Sequence, residues 1–246
     1  MDTKYPGTLE NKKGKRFFIY KKELNKGNLC TNVLSLTLNG VINNNPDKPI
    51  GLSPKDYATY QIFDKDNLVF KLIDLENIST SRVGLVPERG IMSSAYIRLI
   101  NRHECNMRYF YFQYYDLYLR HVYNGLGAGV RSTLTSTDLL DLLIFIPPQS
   151  EQNHIVRFLD WKISSINRLI PTTAITIGNA IAKSNSLLAR QIMLLQELKI
   201  RLISDTVTGK IDVRDIEIPA YESVADKMMD TTTDESIDDV PRTEEM

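Results

Sequence analysis

Two consecutive prolines, Pro147 and Pro148, launch a helical pattern that runs with one interruption to the pair Gly209-Lys210, and no other stretch constrains the chain as much. Proline is excluded from a helix interior but leads well into one, so Ser150 is the expected N-cap, with Glu151 in the first turn favouring the positive dipole end. Ile155, Leu159, Ile163, Ile166 and Ile170 then recur at spacings of four, four, three and four, which places them on one helical stripe. Pro171 and the β-branched run after it predict a kink or short break. A second helix is marked by Ile181, Leu188, Ile192, Leu195, Leu198 and Leu202, and it stops where Gly209 can adopt the left-handed C-cap conformation. Long helices with one apolar seam are commonly half of a coiled coil or of an antiparallel pair, so this rod is expected to need a partner.

The 246 residues can hold one large domain or a domain of about 150 residues plus an extension, and the rod favours the second. Lys+Arg and Asp+Glu are equal at 30 each, yet residues 211–246 hold twelve acidic against three basic side chains, which leaves residues 1–210 with 27 basic against 18 acidic. A basic body with an acidic tail suits a protein that meets a polyanion; a solvated basic surface with a solubilising tail is an equal reading of charge alone. Cys30 and Cys105 lack metal or disulfide-framework spacing, and no metal site is expected. No leader pattern and no apolar run near the ~18 residues of a membrane span are present, so a cytoplasmic protein is expected.

Residues 1–30 are lysine-rich and interrupted by Phe17, Phe18, Ile19 and Tyr20, an arm anchored by apolar side chains that could track phosphates. Residues 33–38 alternate with period two up to Asn39-Gly40, a strong hairpin signal. A short capped helix is expected from Ser53-Pro54 to near Tyr60, and strands over 68–75, 83–86 and 90–100. A helix from about Cys105 to Tyr123, closed by Asn124-Gly125, carries Met107, Phe110, Tyr111, Tyr114, Leu117, Tyr118 and His121 on one face; core packing explains its aromatics better than a stacking platform for bases. Thr137 or Ser136 should cap a short turn through Asp141, and residues 142–146 read as a buried strand. The fold class expected is α+β: a mixed-strand domain, a long coiled-coil-forming helical arm and an acidic tail.

Three stretches carry a family resemblance: PPQSEQ-x-x-IV-x-FLD-x-K-x-x-x-I-x-x-LI with LL-x-E-x-K-x-x-LIS-x-x-VTGKIDVRD in the rod, LVFKLIDLENISTSRVGLVPERGIMSSAYIRL before it, and the loop G-x-G-A-G-V-R-S-x-L. Together they resemble the specificity subunits of type I restriction-modification systems, over about residues 30–218, in a half-length form with one target-recognition domain and one conserved helical region. The resemblance implies a DNA-recognition domain at 1–148, a helical spacer and dimerisation arm at 149–210, and an acidic tail at 211–246, expected to be disordered. It also implies partners: double-stranded DNA, methyltransferase subunits that carry S-adenosylmethionine, a restriction subunit as a further candidate, and a second copy or another specificity subunit. This chain itself would hold no cofactor.

Candidate DNA-binding residues are Lys71, Asn77, Ser79, Thr80, Arg82 and Arg89 in the central segment, with Gly127, Gly129, Arg131 and Ser132 in the glycine-arginine loop. Arginine forks onto phosphate or guanine, asparagine onto adenine, and hydroxyls set register on the backbone. Competing readings are a loop-fixing Arg131 paired with Asp138 or Asp141, and an internal Lys71 ion pair with Asp74 or Glu76. Candidate pairing and partner-docking residues are Ile155, Leu159, Ile163, Ile166, Ile170, Leu188, Ile192, Leu195 and Leu202. No catalytic set is present: IPPQ at 146–149 lacks the ends of an adenine-methyltransferase motif, and phosphate-cradling glycine loops are missing. The alternative function is a helical interaction fragment that pairs with a full-length specificity subunit or methyltransferase without reading DNA.

Overall fold

The computed structural model describes residues 10–38, 40–44, 56–73, 75, 82–126, 133–170 and 182–223, with side chains from Ala189 onward in its last helix. Its centre is a four-stranded antiparallel sheet in the order β2 (Phe18–Tyr20), β9 (Ile97–Asn101), β6 (Leu68–Phe70), β7 (Val83–Leu85). Alternation along these strands separates two cores. Leu68, Phe70, Ile97 and Leu99 face helix α1 (Met107–Leu119) and join the larger core, whereas Val69 joins Leu34, Leu36, Phe63, Val86 and Met92 in a smaller one. The smaller core is closed by the hairpin β3 (Leu34–Thr37)–β4 (Gly40–Asn43) and the pair β5 (Gln61–Phe63)–β8 (Gly90–Met92). Gly84 lets the hairpin sit down on β7, because a Cβ there would lie 2.6 Å from Leu36 Cδ1 and 2.7 Å from Val41 Cγ2.

The alternation of residues 33–38 is present as expected, but Thr37 pairs with Gly40, so Gly40 (φ 92°) opens the second strand instead of sitting inside the turn. The expected strand at 90–100 is two strands, split by a turn at Ser93, and the expected strand at 68–75 stops at Phe70. The arm at the N-terminus is built into the fold from Glu10 on. Strand β1 (Glu10–Lys13) pairs with β10 (Leu143–Ile146), β2 pairs with β9, and Lys13 and Lys15 hold Asp141 at 3.4 and 2.8 Å.

Helix α1 packs Tyr109, Phe110, Phe112, Tyr114 and Tyr115 inward, with Phe18 and Phe70 edge-on to its rings. It ends earlier than its periodicity suggests: His121 takes a positive φ of 56°, and a separate short helix α2 (Val122–Leu126) follows. Thr135, one residue before Ser136 and two before Thr137, begins helix α3 (Ser136–Asp141) with a reciprocal capping box to Asp138. Thr135→Ala should therefore cost about 1 kcal/mol. The Thr135 backbone N–H, then its hydroxyl, hold the Asp138 carboxyl below its ordinary range. A lowered carboxyl stabilises fully above the unfolded value near pH ~4 and loses this as pH falls through the folded value. Thermal melts of wild type and Thr135→Ala should thus converge at pH 3 relative to pH 7.

Helix α4 (Gln149–Leu169) begins at Pro148 with no side-chain cap, so Ser150 lies inside the helix and does not cap it. Its stripe is buried at home: Ile155, Leu159, Ile163 and Ile166 are no more than 6 % exposed, the first three in the larger core with α1 and with Ile203 and Val207 of helix α5 (Ala182–Val207). The expectation of an unpaired seam is corrected for these four residues. Ile192 is also buried, Ile170, Leu195 and Leu202 are half-buried, and the side chain of Leu188 and the Pro171 kink lie outside the described residues.

The chain turns out of α5 at Gly209 (φ 76°), where the N–H groups of Gly209 and Ile211 cap the carbonyls of Thr206 and Asp205. Residues 211–223 then run along α4, with a His154 Nε2 hydrogen bond to Val213 O at 2.7 Å near the start and Arg168 on Glu222 O near the end. Val213 is buried, and Ile211, Ile216 and Ile218 pack on the same core. The segment 211–218 is thus part of the folded body and not of the tail, whose remainder from 224 lies outside the described residues. Among the described residues no helix is long and apolar enough to cross a membrane.

Candidate nucleic-acid interface

Strand register puts the end of β6, the start of β7 and the start of β9 at one edge of the central sheet, since Phe70 pairs with both Val83 and Ile97. Two connections leave from that edge. One departs after Leu75 and returns at Arg82; the other departs after Leu126 and returns at Thr133. Their roots are tied together although they are some fifty residues apart in sequence: Asn124 Nδ2 donates to Leu75 O at 3.2 Å, and Leu134 N donates to Leu72 O at 3.0 Å. Ile73 and Leu126 stand 38 % and 48 % exposed beside these ties, so the edge faces solvent.

Of the ten candidate DNA-binding residues, Asn77, Ser79, Thr80, Gly127, Gly129, Arg131 and Ser132 lie outside the described residues. Lys71 is at this edge, half-buried just past the end of β6, with its backbone N–H on Arg82 O at 3.1 Å. Arg82 is at the edge too, but it is 2 % exposed and its guanidinium points inward, donating to Ile73 O at 3.2 Å. It supports the loop and does not present a fork to solvent. It also lies near Tyr118, whose phenol is pushed up by burial and drawn partly back by the Arg82 charge. Arg89 is removed from the cluster altogether: β7 runs away from this edge, and Arg89 lies beyond its far end, paired with Asp64.

Asp138 and Asp141 are engaged by Thr135 and by Lys13 and Lys15. Asn124 read in the sequence as a helix stop, and only the proximity of Leu75 reveals its second role.

A separate cavity of about 460 Å³ lies between β4, β7, α1 and α4. Arg108 and Asp160 meet in its wall through contacts of 2.6, 2.8 and 3.1 Å, and its lining mixes the apolar Val41, Leu85, Phe112 and Ile163 with the polar Asp66, Ser164 and Ser223. Arg108 also lies over the Phe112 ring at 5.3 Å. Nothing in the sequence marked this pair, whose members are 52 residues apart. The described residues contain no group of three metal-ligating side chains.

Residues 8–179 match a family model described as "Type I restriction modification DNA specificity domain". No curated protein sequence matches. Among solved structures, the S subunit of a type I restriction-modification system from M. genitalium is 16% identical, with 69% of this chain and 44% of that chain covered and a TM-score of 0.44. The HsdS subunit from Thermoanaerobacter tengcongensis is 13% identical, with 85% and 47% covered and a TM-score of 0.39. A chain from a study of complex assembly and conformational transition in the type I R-M system is 16% identical, with 61% and 32% covered and a TM-score of 0.34. This chain therefore spans less than half the length of the structures it matches.

Proposed function

Because the chain belongs to the type I restriction-modification DNA specificity family, we propose that it reads one half of a bipartite DNA site from the sheet edge where residues 76–81 and 127–132 are rooted, and that its helical arm docks adenine-methyltransferase subunits. The observation that carries this reading is the joining of the two loop roots through Asn124–Leu75 and Leu134–Leu72, which gives two distant stretches one common exit. Arg131 and Asn77 are the residues proposed to reach base edges, Lys71, Ser79, Thr80 and Ser132 to reach the backbone, and Gly127 and Gly129 to allow close approach. The excess of basic residues in 1–210 supplies the sequence-independent part of the affinity.

In this reading the chain supplies the address. S-adenosylmethionine and methyl transfer belong to partner subunits, and a restriction subunit can join the same assembly. One reading head addresses one half-site, so a second copy is needed for a bipartite site. The surface that supports such pairing is on α5, where Met193, Leu194 and Leu198 are 68 %, 56 % and 51 % exposed on a helix whose other side is packed. Selection from a random duplex pool tests the reading. The chain should enrich one short motif and keep a preference for it after salt has screened the electrostatic part. Equal loss of affinity for all duplexes as salt rises would instead favour the non-reading helical fragment.

A further inference from the structure

Past Phe70 the chain has left the sheet ladder, and its carbonyls would ordinarily turn to water. Instead three of the next five carbonyls are each taken by a donor from elsewhere in the fold. Leu72 O accepts from Leu134 N–H at 3.0 Å, Ile73 O from the Arg82 guanidinium at 3.2 Å, and Leu75 O from the Asn124 amide at 3.2 Å. The side chains of Leu72 and Leu75, 1 % and 4 % exposed, are meanwhile sunk in the larger core. The first donor follows the second loop, the last precedes it by two residues, and the middle one closes the first loop. The root from which the first loop leaves is therefore held by both roots of the second and by the residue at which the first returns.

We propose that Asn124 and Arg82 are positioning residues that fix the roots of the two loops against one another, at Leu75 and Ile73, and so set DNA specificity without touching DNA. The proposal rests on the half-site reading given above. Its physical basis is the different tolerance of the two kinds of contact. Phosphate contacts survive small displacements because charge attraction falls off gently, whereas a bidentate base contact is lost when its side chain moves by about 1 Å. A loosened clamp should thus lower specific binding and spare the electrostatic background. Asn124 is the better probe, since it is exposed and its helix is short, so its replacement removes little packing. Arg82 is 2 % exposed, and its removal would also empty buried volume.

The test uses the 246-residue chain and the duplex motif it selects. Asn124→Leu, neutral and of similar size, removes the donor and adds no charge. It should lower affinity for the selected motif about threefold to tenfold, the range expected for one lost hydrogen bond. Affinity for random duplex and its salt slope should stay at wild-type values, the melting temperature should fall by no more than the few degrees that one hydrogen bond is worth, and Asn124→Gln, which retains an amide donor, should recover most of the loss. Equal weakening on both duplexes, or no change on the selected one, would overturn the clamp. A wild-type chain that selects no motif would remove the half-site reading and the clamp with it, whereas wild-type selection with an unaffected Asn124→Leu removes the clamp alone.

Discussion

Leu159→Ala will destabilise the chain by about 2–5 kcal/mol, the cost of a cavity in a packed core, while Leu198→Glu will leave its stability within about 0.5 kcal/mol of wild type and weaken any pairing between chains. Leu159 is fully buried, in one core with Ile155, Val156 and Phe158 of its own helix, Tyr109 and Phe110 of α1, and Ile203, Val207 and Val213 from α5 and the segment after it. Truncating it empties a space bounded by three elements, none of which can close the gap alone. Leu198 lies on the other side of α5, half exposed beside Met193 and Leu194, so a charge there meets water in the isolated chain and an apolar surface only in a pair. Urea denaturation measures the first effect and light scattering across concentrations the second. If Leu159→Ala dissociated chains without lowering their stability, the stripe on α4 would be an intermolecular seam after all.

That contrast shows what periodicity could and could not say. Spacings of three and four identify the residues that must be covered, and Ile155, Leu159, Ile163 and Ile166 are covered. They carry no information about the cover. Here it is α1, α5 and the strap at 211–223, the last hidden in the sequence because its acidic residues masked Ile211, Val213, Ile216 and Ile218. The helical aromatics and the hairpin were legible for the same local reason: each pattern repeats within one element. Thr135 was missed by a single residue, since neighbouring hydroxyls at 135, 136 and 137 are equivalent until the backbone chooses one.

The candidate site was legible in part. The sequence marks the two loops by composition, and the topology brings their roots together. It could not show which way Arg82 points, because an arginine beside a strand looks the same whether it faces solvent or a carbonyl. Nor could it separate Arg89 from the cluster: seven residues are enough for β7 to carry the chain from one sheet edge to the other.

Arg98→Ala should cost about 2–5 kcal/mol, the range for emptying a large buried side chain's volume and stranding its carbonyl partner, and the reason lies more in packing than in charge. Arg98 is on the central strand β9, on the face opposite Ile97 and Leu99, with its side chain 3 % exposed. It donates to Ile62 O at 2.5 Å and to Asp64 Oδ2 at 3.0 Å and reaches Glu23 at 3.5 Å, which stitches the main sheet to β5. The two carboxylates are 42 % and 43 % exposed, so water can take over much of what the guanidinium gives them. The Ile62 carbonyl and the emptied volume have no such relief. Arg98→Met, which keeps the volume and loses the donors, should therefore cost less than Arg98→Ala, and Asp64→Asn should cost under about 1 kcal/mol. Chemical denaturation of the three variants orders them; an Asp64→Asn loss as large as that of Arg98→Ala would show that charge pairing, and not the carbonyl and the cavity, holds the two sheets together.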